Sequence, residues 1–179
     1  MIYAGIDYSM TCPSICVSKL ENCYTVDYLT NIKKFEGAFS ASAEFHIYGH
    51  PHKDYSHEID RFNNLALWSM HCIPHESQVY LEDYAMGARG RVFSIGENTA
   101  ILKYKLRVER KQAYKVIAPT AVKKFATGKG NADKDAMYEA FYEQTKIDLF
   151  NLFSVTSTKS PVSDIVDSYF LCKMSQDKI

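Results

Sequence analysis

The chain has 179 residues with 21 basic and 21 acidic side chains, a formal net charge of zero and 46% hydrophobic content. These values suit one globular domain over residues 1–179 with one core. No apolar run approaches a membrane span, no basic-then-apolar leader opens the chain, and the odd, scattered set of five cysteines fits neither a disulfide framework nor a zinc ribbon. The composition therefore predicts a reduced protein of a cytosol-like compartment.

In chain order, residues 2–7, 14–20 and 23–31 read as three strands of an antiparallel meander, with Glu21-Asn22 as a tight turn. Residues 33–54 read as irregular, punctuated by Gly37, Gly49 and Pro51. From about Ser56 to Cys72, Ile59, Phe62, Leu65 and Ala66 recur at helical spacing, and Pro74 ends the run. A short strand at 79–82 closes on Glu82, and a Gly- and Arg-bearing loop follows at 85–91. A helix over 93–111, a strand over 114–117 and a short helix from Pro119 to Phe125 come next. Residues 127–131 form a loop, Asn131 caps a helix over 132–145, and residues 146–160 stay unassigned. The last helix runs from near Pro161 to about Met174. The order predicts an α/β fold with a mixed five-stranded sheet, three antiparallel then two parallel strands, flanked by helices.

Ligands of such sheets gather at the carboxyl ends of strands. Asp7 and Glu82 each end a strand and converge if those strands are parallel neighbours. Asp164 and Asp167 stand three apart on the last helix and share a face. Four carboxylates in one pocket repel unless cations neutralise them. Oxygen-only donors favour Mg²⁺ or Mn²⁺, and two such ions, about 3.5–4 Å apart, can hold both oxygens of an in-line displacement at phosphorus. Between Arg89 and Lys134 there are twelve basic residues against Glu97, Glu109 and Asp133, a local excess that a polyanion would feel despite the neutral total. All six histidines fall between His46 and His75, without ideal zinc spacing.

Four marks stand in a fixed order: Gly5-Ile6-Asp7, then Leu81-Glu82, then the block from Pro119 through Val122-Lys123 and Gly128-Lys129-Gly130 to Lys134, then Asp164-x-x-Asp167-Ser168. Together they resemble the RuvC-type Holliday junction resolvases, over residues 4 to about 172 with a poor match between 33 and 75. The resemblance implies a single RNase H-like nuclease domain, a homodimer, and Mg²⁺-dependent paired nicking of four-way DNA junctions, with Mn²⁺ as a substitute and two ions per site. It makes Asp7, Glu82, Asp164 and Asp167 the metal ligands and Lys134 the cation that stabilises charge on the scissile phosphate. Lys123 would position the DNA backbone, beside Lys124, Gly128, Lys129 and Gly130. Arg89, Arg91 and Tyr84 would add DNA contacts from the loop after Glu82. The helix over 56–73, with Phe62, Leu65 and Trp68 on its apolar face, packs on the sheet or forms the dimer interface.

The chain departs from the family at two places. Tyr8-Ser9 stands where the family has Pro-Gly, and Ala85 where bacterial members carry a wedging aromatic, with Tyr84 or Phe93 as nearby substitutes. These departures and the short chain are compatible with a viral or phage enzyme working in a host cytoplasm. Two other functions stay open: an RNase H-like nuclease acting on flaps or RNA–DNA hybrids, and a non-catalytic junction-binding protein.

Overall fold

The structure is a computed structural model that describes residues 1–20, 22–83 and 92–177. Glu21 of the expected turn, and Tyr84, Ala85, Arg89 and Arg91 of the loop after Glu82, lie outside the described residues.

Among the described residues seven strands form one sheet: β1 (Tyr3–Asp7), β2 (Ser14–Leu20), β3 (Cys23–Thr30), β4 (Gly37–Ser40), β5 (Phe45–Pro51), β6 (Gln78–Glu82) and β7 (Tyr114–Ile117), in the order β4-β5-β3-β2-β1-β6-β7. β1, β2 and β3 form the antiparallel meander, and β6 and β7 run parallel to β1. The expected five strands are present, and β5 and β4 extend the sheet beyond β3 to seven.

The two added strands correct the irregular reading of residues 33–54. A 3₁₀ turn at Lys33–Phe35 leads into β4, and β5 pairs parallel to β3 in the register Tyr24–Phe45. β5 buries Phe45, Ile47 and Gly49 and leaves the alternate side chains outside, the period-2 pattern of a half-buried strand. Gly49 masked that pattern in the sequence. A Cβ there would collide with the Phe35 carbonyl and the Tyr28 ring, so this glycine serves close packing and not a turn.

Helices α1 (Glu58–Cys72) and α2 (Val92–Tyr104) cover one face, and α2 continues as a π-helical turn at Lys105–Glu109. Their core joins Ile6, Leu65, Ala66, Leu102 and Leu106. The other face carries α3 (Pro119–Thr127), α4 (Lys134–Thr145), α5 (Leu149–Phe153) and α6 (Val162–Gln176), around Val26, Phe141, Phe153 and Phe170. Full burial of a leucine, isoleucine, valine or phenylalanine side chain among these contributes about 1.5–3 kcal/mol. Asp133, not Asn131, caps α4: its carboxylate accepts from the Ala136 amide at 2.9 Å, and the helix starts two residues later than the spacing predicts. α5 fills part of the unassigned stretch.

α6 is buried almost all round, which a helix tolerates only when sandwiched. It lies across β1, β2 and β6 with α3 and α4 outside it. Gly5 makes the closest approach possible, because a Cβ there would run into the backbone of Ser168, Leu171 and Cys172. A bond of 2.9 Å between the buried Ser14 and Ser168 hydroxyls fixes the same helix to β2. The five cysteines are free thiols, and among the described residues no helix is long and apolar enough to cross a membrane.

Candidate active site

Parallel pairing of β1 with β6 matches Ile6 to Leu81, so Asp7 and Glu82 end adjacent strands at one edge of the sheet. α6 begins over that edge, and its first two turns carry Asp164 and Asp167. Asp164 is buried, whereas Asp7, Glu82 and Asp167 keep partial contact with solvent. All four expected carboxylates are thus brought together, from three separate elements.

The charges of these groups act on one another. Burial, then Glu82, Asp164 and Asp167, push the Asp7 carboxyl well above the usual range, and Lys134 opposes them. Burial and Asp167 raise Glu82 to about 8 against the pull of Lys123. Burial and Asp164 raise Asp167 to about 6, with Lys134 and Lys123 both acting against the rise. Asp164 is raised by burial, and hydrogen bonds from Ser160 and Cys12, with the charge of Lys134, hold the rise in check. Desolvation is incomplete at the three carboxylates that keep some solvent, but like charges push in the same direction, so the sign stands on two causes.

Both expected lysines reach this cluster. Lys134 opens α4 and donates to the Ser163 hydroxyl at 3.0 Å, one residue before Asp164. Lys123 lies on α3, near enough for Glu82 and Asp167 to feel its charge. Gly128 closes α3 at φ +79°, a left-handed conformation that suits glycine, and a Cβ on Gly130 would stand 3.2 Å from the Thr120 carbonyl. Lys124 and Lys129 are exposed on the same helix and loop.

Three other basic residues of the stretch stand away from this edge. Arg110, Lys111 and Lys115 line a cavity at the amino ends of β6 and β7, the opposite end of the sheet. Arg110 is used structurally, donating to the Met70 and Ile73 carbonyls, and Lys115 lies over the Tyr80 ring. Of the substitutes for the wedge, Phe93 is 88% exposed near the start of α2 and Tyr84 lies outside the described residues.

Two supporting residues escaped the sequence reading. Cys12, which the sequence gives no role beyond a reduced thiol, hydrogen-bonds Asp164. Ser160 does the same. Neither residue type signals such a role by spacing, since the loop fold alone brings them there. The histidines have separate tasks: His57 caps α1, His50 pairs with Asp27 at 2.7 Å, and His52 donates to the Thr11 carbonyl at 2.9 Å.

Among the described residues no three or more His, Cys, Asp or Glu side chains are arranged to hold a metal ion as they stand. The donor chemistry, oxygen-only and partly buried with raised pKa values, fits a hard divalent cation rather than zinc.

No family model matches the chain, and no curated protein matches it. Solved structures do. RuvC of Thermus thermophilus superposes with a TM-score of 0.55 at 14% identity, covering 96% of this chain and 91% of that one. The same protein in complex with Holliday junction substrate gives a TM-score of 0.53 at 15% identity, over 96% of this chain and 90% of that one. At such identity the likeness shows the fold, which is RNase H-like.

Proposed function

We propose that this chain is a metal-dependent endonuclease that resolves four-way DNA junctions by paired nicks. One observation carries the proposal: four carboxylates from β1, β6 and α6 meet with two lysines at the carboxyl edge of an RNase H-like sheet. A likeness in fold to a protein solved with a Holliday junction supports the choice of branched DNA.

Asp7, Glu82, Asp164 and Asp167 would hold two Mg²⁺ ions, with Mn²⁺ as a substitute. When bound, the ions supply a nucleophile at neutral pH and neutralise charge on the phosphate. The protein's own groups do the rest. Ser160 and Cys12 hold Asp164 by hydrogen bonds. Lys134, fixed by one bond to Ser163, keeps donors free for charge developing on the scissile phosphate. Lys123, Lys124 and Lys129 hold the strand by its phosphates, and the Gly128–Gly130 loop lets backbone come close to it. Arg89, Arg91 and Tyr84 would add to this grip.

A homodimer would present two such sites to a two-fold substrate. Ile59, exposed on α1, supplies apolar surface for that contact.

The deciding experiment is a cleavage assay with Mg²⁺ on a mobile four-way junction, a flap and an RNA–DNA hybrid. Paired nicks on the junction are expected. Preferential cutting of the hybrid or flap would move the enzyme to another substrate, and tight junction binding without cleavage would make it a binding protein.

A further inference from the structure

β3 and β5 run in the same direction as β1 and β6, so their carboxyl ends share the edge that carries the acids. Beside them, on the α1 face, lies a cavity of about 290 Å³, near the small end of ligand pockets. From β1 to β3 is two strand spacings, about 10 Å. Leu29, Leu65 and the Trp68 ring give the cavity an apolar lining, and His52, Lys53 and Arg61 line it with donors. No acidic residue lines it among the described residues. The Trp68 Nε1–H is buried without a hydrogen-bond partner among the described residues.

Two of these residues also grip the backbone that follows Asp7. Arg61 donates to the Met10 carbonyl at 2.7 Å and His52 to the Thr11 carbonyl at 2.9 Å. Cys12, next in that loop, hydrogen-bonds Asp164. The cavity wall and the acidic cluster are therefore joined through one short loop.

We propose that this cavity is a binding site for one unpaired nucleotide, with the base against Trp68 and the phosphate at Lys53 and Arg61. An aromatic face binds any base, and a cationic rim free of acids suits a phosphate. A duplex is too wide for the volume. The nuclease reading enters only in naming the source of the nucleotide, an unpaired position at the branch of the DNA substrate, next to the scissile strand.

Trp68 is the only tryptophan in the chain and lines this cavity as well as a second one beside Asp27, His50 and Cys72, so the Lys53 variants tell which of the two a change in its fluorescence reports. Metal-free protein is titrated with deoxyadenosine monophosphate, deoxyadenosine and inorganic phosphate. Saturable quenching by the monophosphate is expected, with the other two at least about tenfold weaker. Lys53 is exposed, so Lys53→Ala should fold, and it should weaken the monophosphate about tenfold while Lys53→Arg retains it. A four-way junction with one unpaired adenine that displaces the monophosphate assigns the site to the DNA, and a junction that does not assigns it to a free nucleotide. Absence of quenching, equal quenching by phosphate alone, or indifference to Lys53→Ala overturns the proposal. Because nothing is cleaved in the titration, its failure is distinct from failure of the nuclease reading.

Discussion

Asp7 and Glu82 leave the sheet side by side, each one residue beyond the register pair Ile6–Leu81. Neither carboxylate could choose this neighbour locally, since 75 residues of chain separate them. Parallel pairing places two acids at one edge, and α6 adds the other two from above.

Removing one acid should move activity and stability in opposite directions. Asp7→Asn is expected to reduce Mg²⁺-dependent junction cleavage to background while junction binding persists. The same variant should unfold at a higher temperature than the parent without metal, because one repelling charge is gone. Retained cleavage would remove Asp7 from the site.

Lys134→Ala should bind junctions nearly as well as the parent and cut about a hundredfold more slowly under saturating enzyme. Single-turnover kinetics separate the two effects. A variant that lost binding but cut normally when saturated would make Lys134 a strand-gripping residue instead.

The acidic cluster sets a pH dependence of stability. Glu82 ionises near its ordinary 4.5 in the unfolded chain and at about 8 in the folded one, so across that window the folded protein holds more protons. Stability of the metal-free protein should therefore be fully present below about pH 4.5 with respect to this group, and fall as pH rises toward 8. Asp167, raised to about 6, adds to the lower part of the same fall. Mg²⁺ should restore stability most at the alkaline end. Thermal melts at several pH values, with and without Mg²⁺, check both signs.

Gly5→Ala tests the seating of α6. Its Cβ would press on helix backbone, which cannot rotate away, and overpacking of this kind costs about 1–3 kcal/mol or more. Urea unfolding should show the loss. Cleavage should fall further than stability alone explains, because Asp164 and Asp167 shift with the helix.

Lys129→Ala should weaken junction binding evenly across sequences and lower the slope of log affinity against log salt by about one. Binding isotherms at several salt concentrations measure it. An unchanged slope would take this loop off the phosphate backbone.

Much of the fold was legible because it is written in local patterns. Ile6 and Leu81 sit in short apolar runs, and Pro119 marks the start of α3, whose end lies at Thr127 before the left-handed Gly128, two residues beyond the expected Phe125. β5 was not legible, because Gly49 reads as a breaker until Tyr28 and Phe35 are seen against it. The cap of α4 was misread for a similar reason: Asn131 and Asp133 are both good caps, and only the path of the loop chooses between them.

The sequence by itself determined the four carboxylates, the two lysines and the strand and helix ends that carry them, since residue type and spacing are local. The tertiary structure decided that Cys12 and Ser160 steady Asp164, that Arg110 and Lys115 belong to the far end of the sheet, and that His52 and Arg61 join a cavity to the loop after Asp7. Those relations depend on strand register and on how closely α6 can approach β1. Both are set by packing between segments far apart in the chain, which no local pattern encodes.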